Sequence, residues 1–311
     1  MKILTDMRSL SRIKRPVVTL GNFDGLHLGH LRIIRKVRER AMRLGCPSLV
    51  YTFDPHPLKV VAPEKSPQLL LRLPDKVRLI KEEGIDCLLL ARFTKEFAAL
   101  HPRRFVLDSV VSCAAQEVWV GHDFSFGRKK SGTVEYLKTL GEEFGFKVNV
   151  IPAYKKAGAI VSSSRIRALL LAGNVGGAAH LLGRPYSIHG RVVKGRGDGR
   201  ALGFPTANLA VTSELIPDGG VYAVMAIFNA KAHPAVLNIG TAPTLTSGKK
   251  ESVEAHLLDF KGNMYGKSME IRFFRRLRAE KRFKSASALA KRIEMDVERA
   301  ARIFAKSRAP L

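Results

Sequence analysis

The chain is poor in cysteine, in aromatic residues and in acidic residues, and it has no long apolar run. Its three cysteines, Cys46, Cys87 and Cys113, cannot all pair, and none belongs to a CxxC or to a His/Cys cluster with metal-ligand spacing. That excludes a disulfide scaffold and a cysteine-based zinc site, and it makes a reducing cytoplasm the expected location. No stretch approaches ~18 uncharged apolar residues, so no membrane-spanning helix and no membrane partner are expected. The opening MKILTDMRSLSRIKRPVV lacks the apolar segment of a secretory signal, so none is expected. Aromatics are only 7%, and no nucleic-acid recognition motif stands out.

What is abundant is positive charge. Lys and Arg number 53 against 27 Asp and Glu, a formal net charge of +26. Such a surface attracts polyanions, and net charge bears on partners rather than on fold. Any DNA contact is expected to be sequence-independent and largely gone by ~200 mM salt, because counterion release dominates such binding. With 46% hydrophobic and 26% charged residues the composition is that of a globular protein. At about 150 residues per domain, a chain of 311 residues reads as two domains. The oligomeric state is left open.

The first half alternates two periods. Residues 17–20 are a short apolar run stopped by Gly21. Residues 31–44 place Leu31, Ile34, Val37, Ala41 and Leu44 at helical spacing, with Gly45 as the C-terminal stop. Strands are expected at 48–53, 85–91, 118–120 and 147–151. Helices are expected at 75–83, 102–114, 133–144 and 164–172. Strands alternating with helices imply right-handed crossovers and a parallel sheet covered on both faces. The pattern changes near 173–185. Strand candidates then follow without helices between them, at 186–193, 221–228, 235–239, 253–258 and 267–273, as in a small antiparallel barrel. Residues 285–306 form one long amphipathic helix. The expected fold class is therefore α/β, followed by a β-barrel with a C-terminal helix, with the domain boundary at 183/184.

The strongest local signal is GNFDGLHLGH at 21–30, after the first strand and at the start of the first helix. Glycines let the backbone approach a phosphate, and a helix N-terminus offers N–H donors and a positive dipole end. His27 and His30, three apart, can both donate to phosphate oxygens, as nucleotidyl transfer requires. An HxGH alone reads equally as a turn with two incidental histidines. Its partner is SSSRIR at 162–167, opening the last helix of this half. Ser163 and Ser164 there are either helix caps or, with Arg167, a second phosphate clamp.

In the second half, residues 190–203 (GRVVKGRGDGRALG) form a basic, glycine-rich loop suited to cover phosphates, or else a hairpin tip. It contains no GxxxxGK[ST]. Thr206 and Asn208 offer hard oxygen ligands suited to Mg²⁺ on ATP phosphates, or else a capped turn. Glu254, between Val253 and Ala255 on an alternating strand, is either a solvent-facing carboxylate or a general base.

GNFDGLHLGH, TFDPHP (52–57), GHDFSFG (121–127), SSSRIRALL (162–170), GFPTAN (203–208), VEAHLLD (253–259), MYG (264–266) and LRAEKRF (277–283) resemble, in order and over nearly the whole chain, the prokaryotic bifunctional riboflavin kinase/FMN adenylyltransferases, also called FAD synthetases. The resemblance implies a Rossmann-like nucleotidyltransferase domain at 1–183 and a riboflavin kinase-like barrel at 184–311. It implies phosphorylation of riboflavin by ATP to FMN, then adenylylation of FMN to FAD, with Mg²⁺ in both steps. Carried over, Gly21, Phe23, His27, His30, Ser163, Ser164 and Arg167 form one ATP site, and Gly195 and Gly203 lie in the loop covering the other. His56, Asp123, Phe124 and Arg278 lie on the flavin side. Thr206 and Asn208 hold Mg²⁺, and Glu254 is the base for the ribityl 5′-hydroxyl. Asp54 stands where the family often has Glu, and NIGTAPT (238–244) lacks a basic residue common before its PT. Other HxGH enzymes are the nearest rivals. Class I aminoacyl-tRNA synthetases pair that motif with a Lys-rich one rather than SSSRIR, and other adenylyltransferases lack the PTAN barrel. A basic nucleic-acid-binding protein is the rival of another class.

Overall fold

The computed structural model describes residues 1–195, 203–242, 250–260, 262–281 and 283–306. They divide into two compact units, Met1–Ser163 and Ser164–Leu311.

The first unit is built on six strands: β1 (Lys2–Leu4), β2 (Val17–Leu20), β3 (Ser48–Asp54), β4 (Cys87–Arg92), β5 (Glu117–Gly121) and β6 (Lys147–Ile151). They form one sheet in the order β1-β4-β3-β2-β5-β6, and every neighbouring pair is parallel. All four residues of β2 are buried, as a central strand covered on both faces requires. Alternation sends successive side chains of β3 to opposite layers. Leu49 and Tyr51 join Val18, Leu89 and Phe105, whereas Val50 joins Ile34, Ile80 and Leu88.

The main helices are α1 (Leu28–Leu44), α2 (Pro57–Val61), α3 (Leu73–Glu82), α4 (Lys95–Ala98), α5 (Pro102–Ser109) and α6 (Val134–Phe144). Helix α1 buries Ile33, Ile34, Val37 and Ala41 and ends at Gly45, whose φ of 61° lets its N–H reach the Ala41 carbonyl. Arg40 fixes α1 to β5 by pairing with Glu117, which also accepts from Trp119 Nε1 at 2.8 Å. The hydrogen bond from Arg40, helped by that from Trp119, holds the Glu117 carboxyl below the usual carboxylate range. The helix expected over 102–114 ends at Ser109. Val110 caps it with its N–H on the Val106 carbonyl, a tight turn spans Val111–Cys113, and Ala114 turns left-handed at φ 50°. A short hairpin, β7 (Lys155–Lys156) and β8 (Ala159–Ile160), precedes the end of this unit.

Helix α7 (Ser163–Leu171), whose first residue closes the first unit, and α8 (Val175–Leu182) open the second. Helix α8 packs on the barrel and buries Val175, Ala178, Leu181 and Leu182, so the boundary by packing falls before both helices. Six strands follow: β9 (Ser187–Val193), β10 (Ala207–Val211), β11 (Gly220–Phe228), β12 (Lys231–Ala242), β13 (Lys250–Leu257) and β14 (Ser268–Arg278). They close into an antiparallel barrel in the order β10-β13-β12-β11-β14-β9, sealed by pairing of β9 with β10. Tyr222, Val224, Leu237, Ala255, Ile271 and Phe273 are wholly buried. The last helix, α9 (Ala286–Lys306), lays Val297, Ala300, Ile303 and Phe304 over Val221, Ala223, Val236 and Leu277.

Candidate functional site

The sheet order has a switch point. From β2 the chain builds outward through β3 to β4, and then returns to place β5 on the other side of β2. In open parallel sheets ligands bind at the carboxyl ends of the strands where the order reverses. GNFDGLHLGH follows β2 and GHDFSFG follows β5, so both motifs sit at that place.

The 21–30 loop is tightly wound. Phe23, Gly25 and Leu26 all have left-handed backbones, with φ of 49°, 82° and 40°. Such strain persists only where the surroundings over-determine it. Here Phe23 and Leu26 are 2% and 0% exposed and serve as apolar anchors. A Cβ on Gly21 would fall 2.9 Å from the Phe23 ring, so the ring's position requires glycine. The buried Asp24 carboxylate accepts from Leu70 N at 3.0 Å and Leu71 N at 3.2 Å. The Asn22 carbonyl accepts from Thr52 Oγ1 at 3.2 Å and from Lys76 Nζ at 3.0 Å.

His27 caps α1, its Nδ1 accepting from His30 N–H at 3.3 Å. That bond places the ring's hydrogen on Nε2. The two imidazoles stack with centroids 3.6 Å apart, and Phe23 meets His30 edge-on at 5.4 Å. Ser163 Oγ donates to the Asp24 carbonyl at 2.9 Å, so SSSRIR touches the first motif through this hydroxyl. Ser164 is exposed and Arg167 half-buried on α7, which packs with the second unit.

The other first-unit residues sit at strand ends. His56 follows β3 and caps α2, accepting from Leu58 N at 3.3 Å. Asp123 is exposed beside His122, just after β5. Phe124 stacks on Phe126 at 5.5 Å, and Phe126 rests on Phe105.

In the barrel, Asn208 and Glu254 are direct partners across β10 and β13, and Asn208 also faces Val193 of β9. Their neighbours Ala207, Leu209, Val253 and Ala255 are buried, so Asn208 and Glu254 project from the opposite face. Thr206 Oγ1 donates to Glu254 Oε2 at 3.5 Å. His256, two residues along the same strand, holds the GFPTAN segment, with Nδ1 at 2.8 Å from the Pro205 carbonyl and its ring against Phe204. A Cβ on Gly195 would lie 2.0 Å from Asn208 Nδ2, so the backbone there presses on the amide. Gly203, at φ 86°, is exposed. Residues 196–202 of the basic loop, and Pro243 and Thr244 of NIGTAPT, lie outside the described residues.

Arg278 closes β14. Its Nε donates to Asp296 of α9 at 2.8 Å, and its guanidinium lies over Phe283 at 5.6 Å. Sequence reasoning missed Asp24, Thr52, Lys76 and His256. Asp24, Thr52 and His256 lie inside the quoted motifs without having been assigned a role, and Lys76 lies outside all of them.

Comparison with known proteins agrees with both halves. The family model for FAD synthetase matches residues 10–165, and that for riboflavin kinase matches 182–304. The bifunctional riboflavin kinase/FMN adenylyltransferase of Escherichia coli strain K12 is 37% identical over 300 residues, covering 95% of this chain and 96% of that protein. Its counterpart in Pseudomonas fluorescens is 38% identical, covering 94% of each. A crystal structure from Streptococcus pneumoniae, described as a macrolide-efflux protein, superposes with a TM-score of 0.86 at 30% identity, covering 96% of this chain and 98% of that one. The efflux description belongs to that protein; among the described residues here no helix is long and apolar enough to cross a membrane. With two family models in sequence along the chain and relatives matched nearly end to end, the chain belongs to the bifunctional riboflavin kinase/FMN adenylyltransferases.

Proposed function

We propose that this chain converts riboflavin to FMN at the barrel and FMN to FAD at the parallel sheet, using one ATP in each step, in the cytoplasm. The observation that supports it is the meeting of separated motifs. Ser163 and Asp24, 139 residues apart, join in the first unit, and Thr206 and Glu254, 48 apart, join in the second. The functional division is proposed at 183/184, by chemistry rather than by packing.

In the first step the Glu254 carboxylate takes the proton of the ribityl 5′-hydroxyl as its oxygen attacks the γ-phosphorus of ATP, and ADP leaves. Thr206 and Asn208 would hold Mg²⁺. Their donors suit it: a hydroxyl and an amide oxygen are hard ligands that leave positions for phosphate oxygens and water. When bound, the ion offsets phosphate charge. Among the described residues no His/Cys/Asp/Glu cluster offers an alternative cage. Gly195 and Gly203 would contribute to binding this ATP, and Arg278, which also fixes α9 through Asp296, would contact the flavin.

In the second step an FMN phosphate oxygen attacks the α-phosphorus of ATP, and pyrophosphate leaves. His27 and His30, the loop around Gly21 and Phe23, and Ser163, Ser164 and Arg167 bind the triphosphate and stabilise charge on it. His56, Asp123 and Phe124 line the flavin side. Both steps are direct displacements without a covalent enzyme intermediate. Nucleic-acid contact is at most non-specific.

The test is a time course of riboflavin, ATP and Mg²⁺ with the full chain, with FMN and FAD separated. Glu254→Gln should cut riboflavin phosphorylation about 10²–10⁴-fold and spare FMN adenylylation. His30→Ala should do the reverse. Retention of a tenth of the kinase rate by the first variant, or equal loss of both steps in the second, refutes the assignment.

A further inference from the structure

Lys76 lies on α3, outside every motif, yet it is only 8% exposed. Its ammonium donates to a neutral group, the Asn22 carbonyl, at 3.0 Å. Burial pulls its pKa below the ordinary lysine value, and the charged groups that offset this are Asp24 and Asp54. Both are carboxylates of strand-end loops, the first hydrogen-bonded to Leu70 N and Leu71 N. A buried ammonium with no direct carboxylate contact among the described residues is an expensive way to fill space, and a Met would fill it at less cost. The arrangement therefore calls for a reason beyond packing.

The reason lies in the peptide it holds. The Asn22–Phe23 bond is trans, so its C=O and N–H point in opposite directions. Lys76 from α3 and the wholly buried Thr52 from β3 both donate to the Asn22 carbonyl, fixing it toward the interior. The Phe23 N–H is thereby turned the other way. The same logic repeats two residues on, where Ser163 Oγ holds the Asp24 carbonyl and so orients the Gly25 N–H. Two alternate peptides are thus oriented by side chains from three different elements, in a loop whose left-handed backbone would otherwise relax.

The geometry points to Lys76 as a positioning residue for adenylyl transfer, one that keeps the 21–27 loop in its phosphate-accepting form by holding the Asn22 carbonyl inward. This rests on the reading of that loop as the ATP-phosphate site. Lys76 does not touch the reacting atoms; it acts through the Asn22–Phe23 peptide. Its effect belongs in the use of ATP, not in the binding of flavin and not in the barrel's reaction.

The experiment uses the full chain with Lys76→Met, Thr52→Val and His30→Ala, measuring kcat and KM for ATP and for FMN in adenylylation, and riboflavin phosphorylation beside them. Loss of one charge-assisted hydrogen bond corresponds to about a 10- to 100-fold fall in kcat/KM for ATP in Lys76→Met. The KM for FMN and the kinase rate should stay within about twofold of the parent. Thr52→Val, which removes the neutral donor to the same carbonyl, should move the same parameter by a smaller factor. Unchanged ATP parameters in Lys76→Met, or a loss shared equally by the kinase, overturn the proposal. Should Lys76→Met fail to fold, Thr52→Val decides, and unchanged ATP parameters there refute it. If His30→Ala also leaves adenylylation intact, it is the reading of the loop as the ATP site that has failed, not the role of Lys76 within it.

Discussion

Asp296→Ala should destabilise the second unit more than any exposed substitution on α9. The Asp296 side chain is 3% exposed; Oδ2 accepts from Arg278 Nε at 2.8 Å, and Oδ1 lies 3.6 Å from Arg292. The Arg278 side chain is 16% exposed, so water does not take the place of the lost carboxylate. Removing one partner of a buried pair costs about 3–5 kcal/mol, because the remaining charge is left buried and unpaired. The contact to Arg292 is an i,i+4 pair with a half-exposed partner and adds little. For a unit of this size that loss corresponds to a fall in Tm of about 6–20 °C. Calorimetry of the full chain, alongside riboflavin phosphorylation, measures it. Replacing both partners, as in Arg278→Leu with Asp296→Leu, should restore most of the Tm, since apolar side chains satisfy each other in that place. The double variant also separates two roles for Arg278. If it acts only by anchoring α9, riboflavin KM recovers with Tm. If the guanidinium contacts flavin, Tm recovers and KM does not. A Tm change below about 2 °C in Asp296→Ala refutes the reasoning.

Gly195→Ala places a methyl 2.0 Å from Asn208 Nδ2, so the amide must turn away from its place beside Glu254. Kinase turnover should fall about 10- to 100-fold, with a raised Mg²⁺ requirement and normal FMN adenylylation, since small misplacements at a reacting site have effects of that size. An unaltered Mg²⁺ titration sinks the role given to Asn208. A fragment of residues 164–311 should melt well above one of 186–311, because the shorter piece loses α8, whose buried Val175, Leu181 and Leu182 each contribute about 1.5–3 kcal/mol. Equal melting temperatures would show that α8 adds nothing to the barrel.

Most of the first unit was legible because its signals are local. Four consecutive buried residues make β2, and a 3.6-residue stripe ending at a left-handed glycine makes α1. The elements missed carry weak local signals. Helix α8 reads VGGAAHLL, and two glycines lower its propensity; it forms because Asn174 caps the Gly177 N–H at 2.8 Å and the barrel takes up its apolar face. Strand β10 reads ANLAV, without a β-branched residue before Val211, and exists because β9 and β13 flank it on both sides. Strand β1 has three residues and is held by β4 alone. In the site, the spacing of His27 and His30 was visible, but not that one ring would cap the helix while stacking on the other. That Leu70, Leu71, Thr52 and Lys76 would support the loop was not visible, although Thr52 opens the quoted TFDPHP. They come from 30 to 54 residues away, and only the sheet order brings them to the loop.

The two proposed sites meet the same electrostatic demand with different backbones, and this explains why they look so different in sequence. At the end of β2 the donors are amides at a helix N-terminus, which carry no intrahelical partner. Presenting them requires a wound loop, so the motif reads as glycines and histidines, and its strain is offset by burying Phe23 and Leu26 and by the side chains that hold its carbonyls. In a closed barrel that source of donors is absent, because Asn208 and Glu254 lie on strands whose amides are engaged in the ladder. Side-chain oxygens must take over, and oxygens repel phosphate unless a cation stands between them. On that reading the barrel motif is Thr, Asn and Glu alternating with apolar residues that fill the core, and Mg²⁺ would stand between those oxygens and the phosphates.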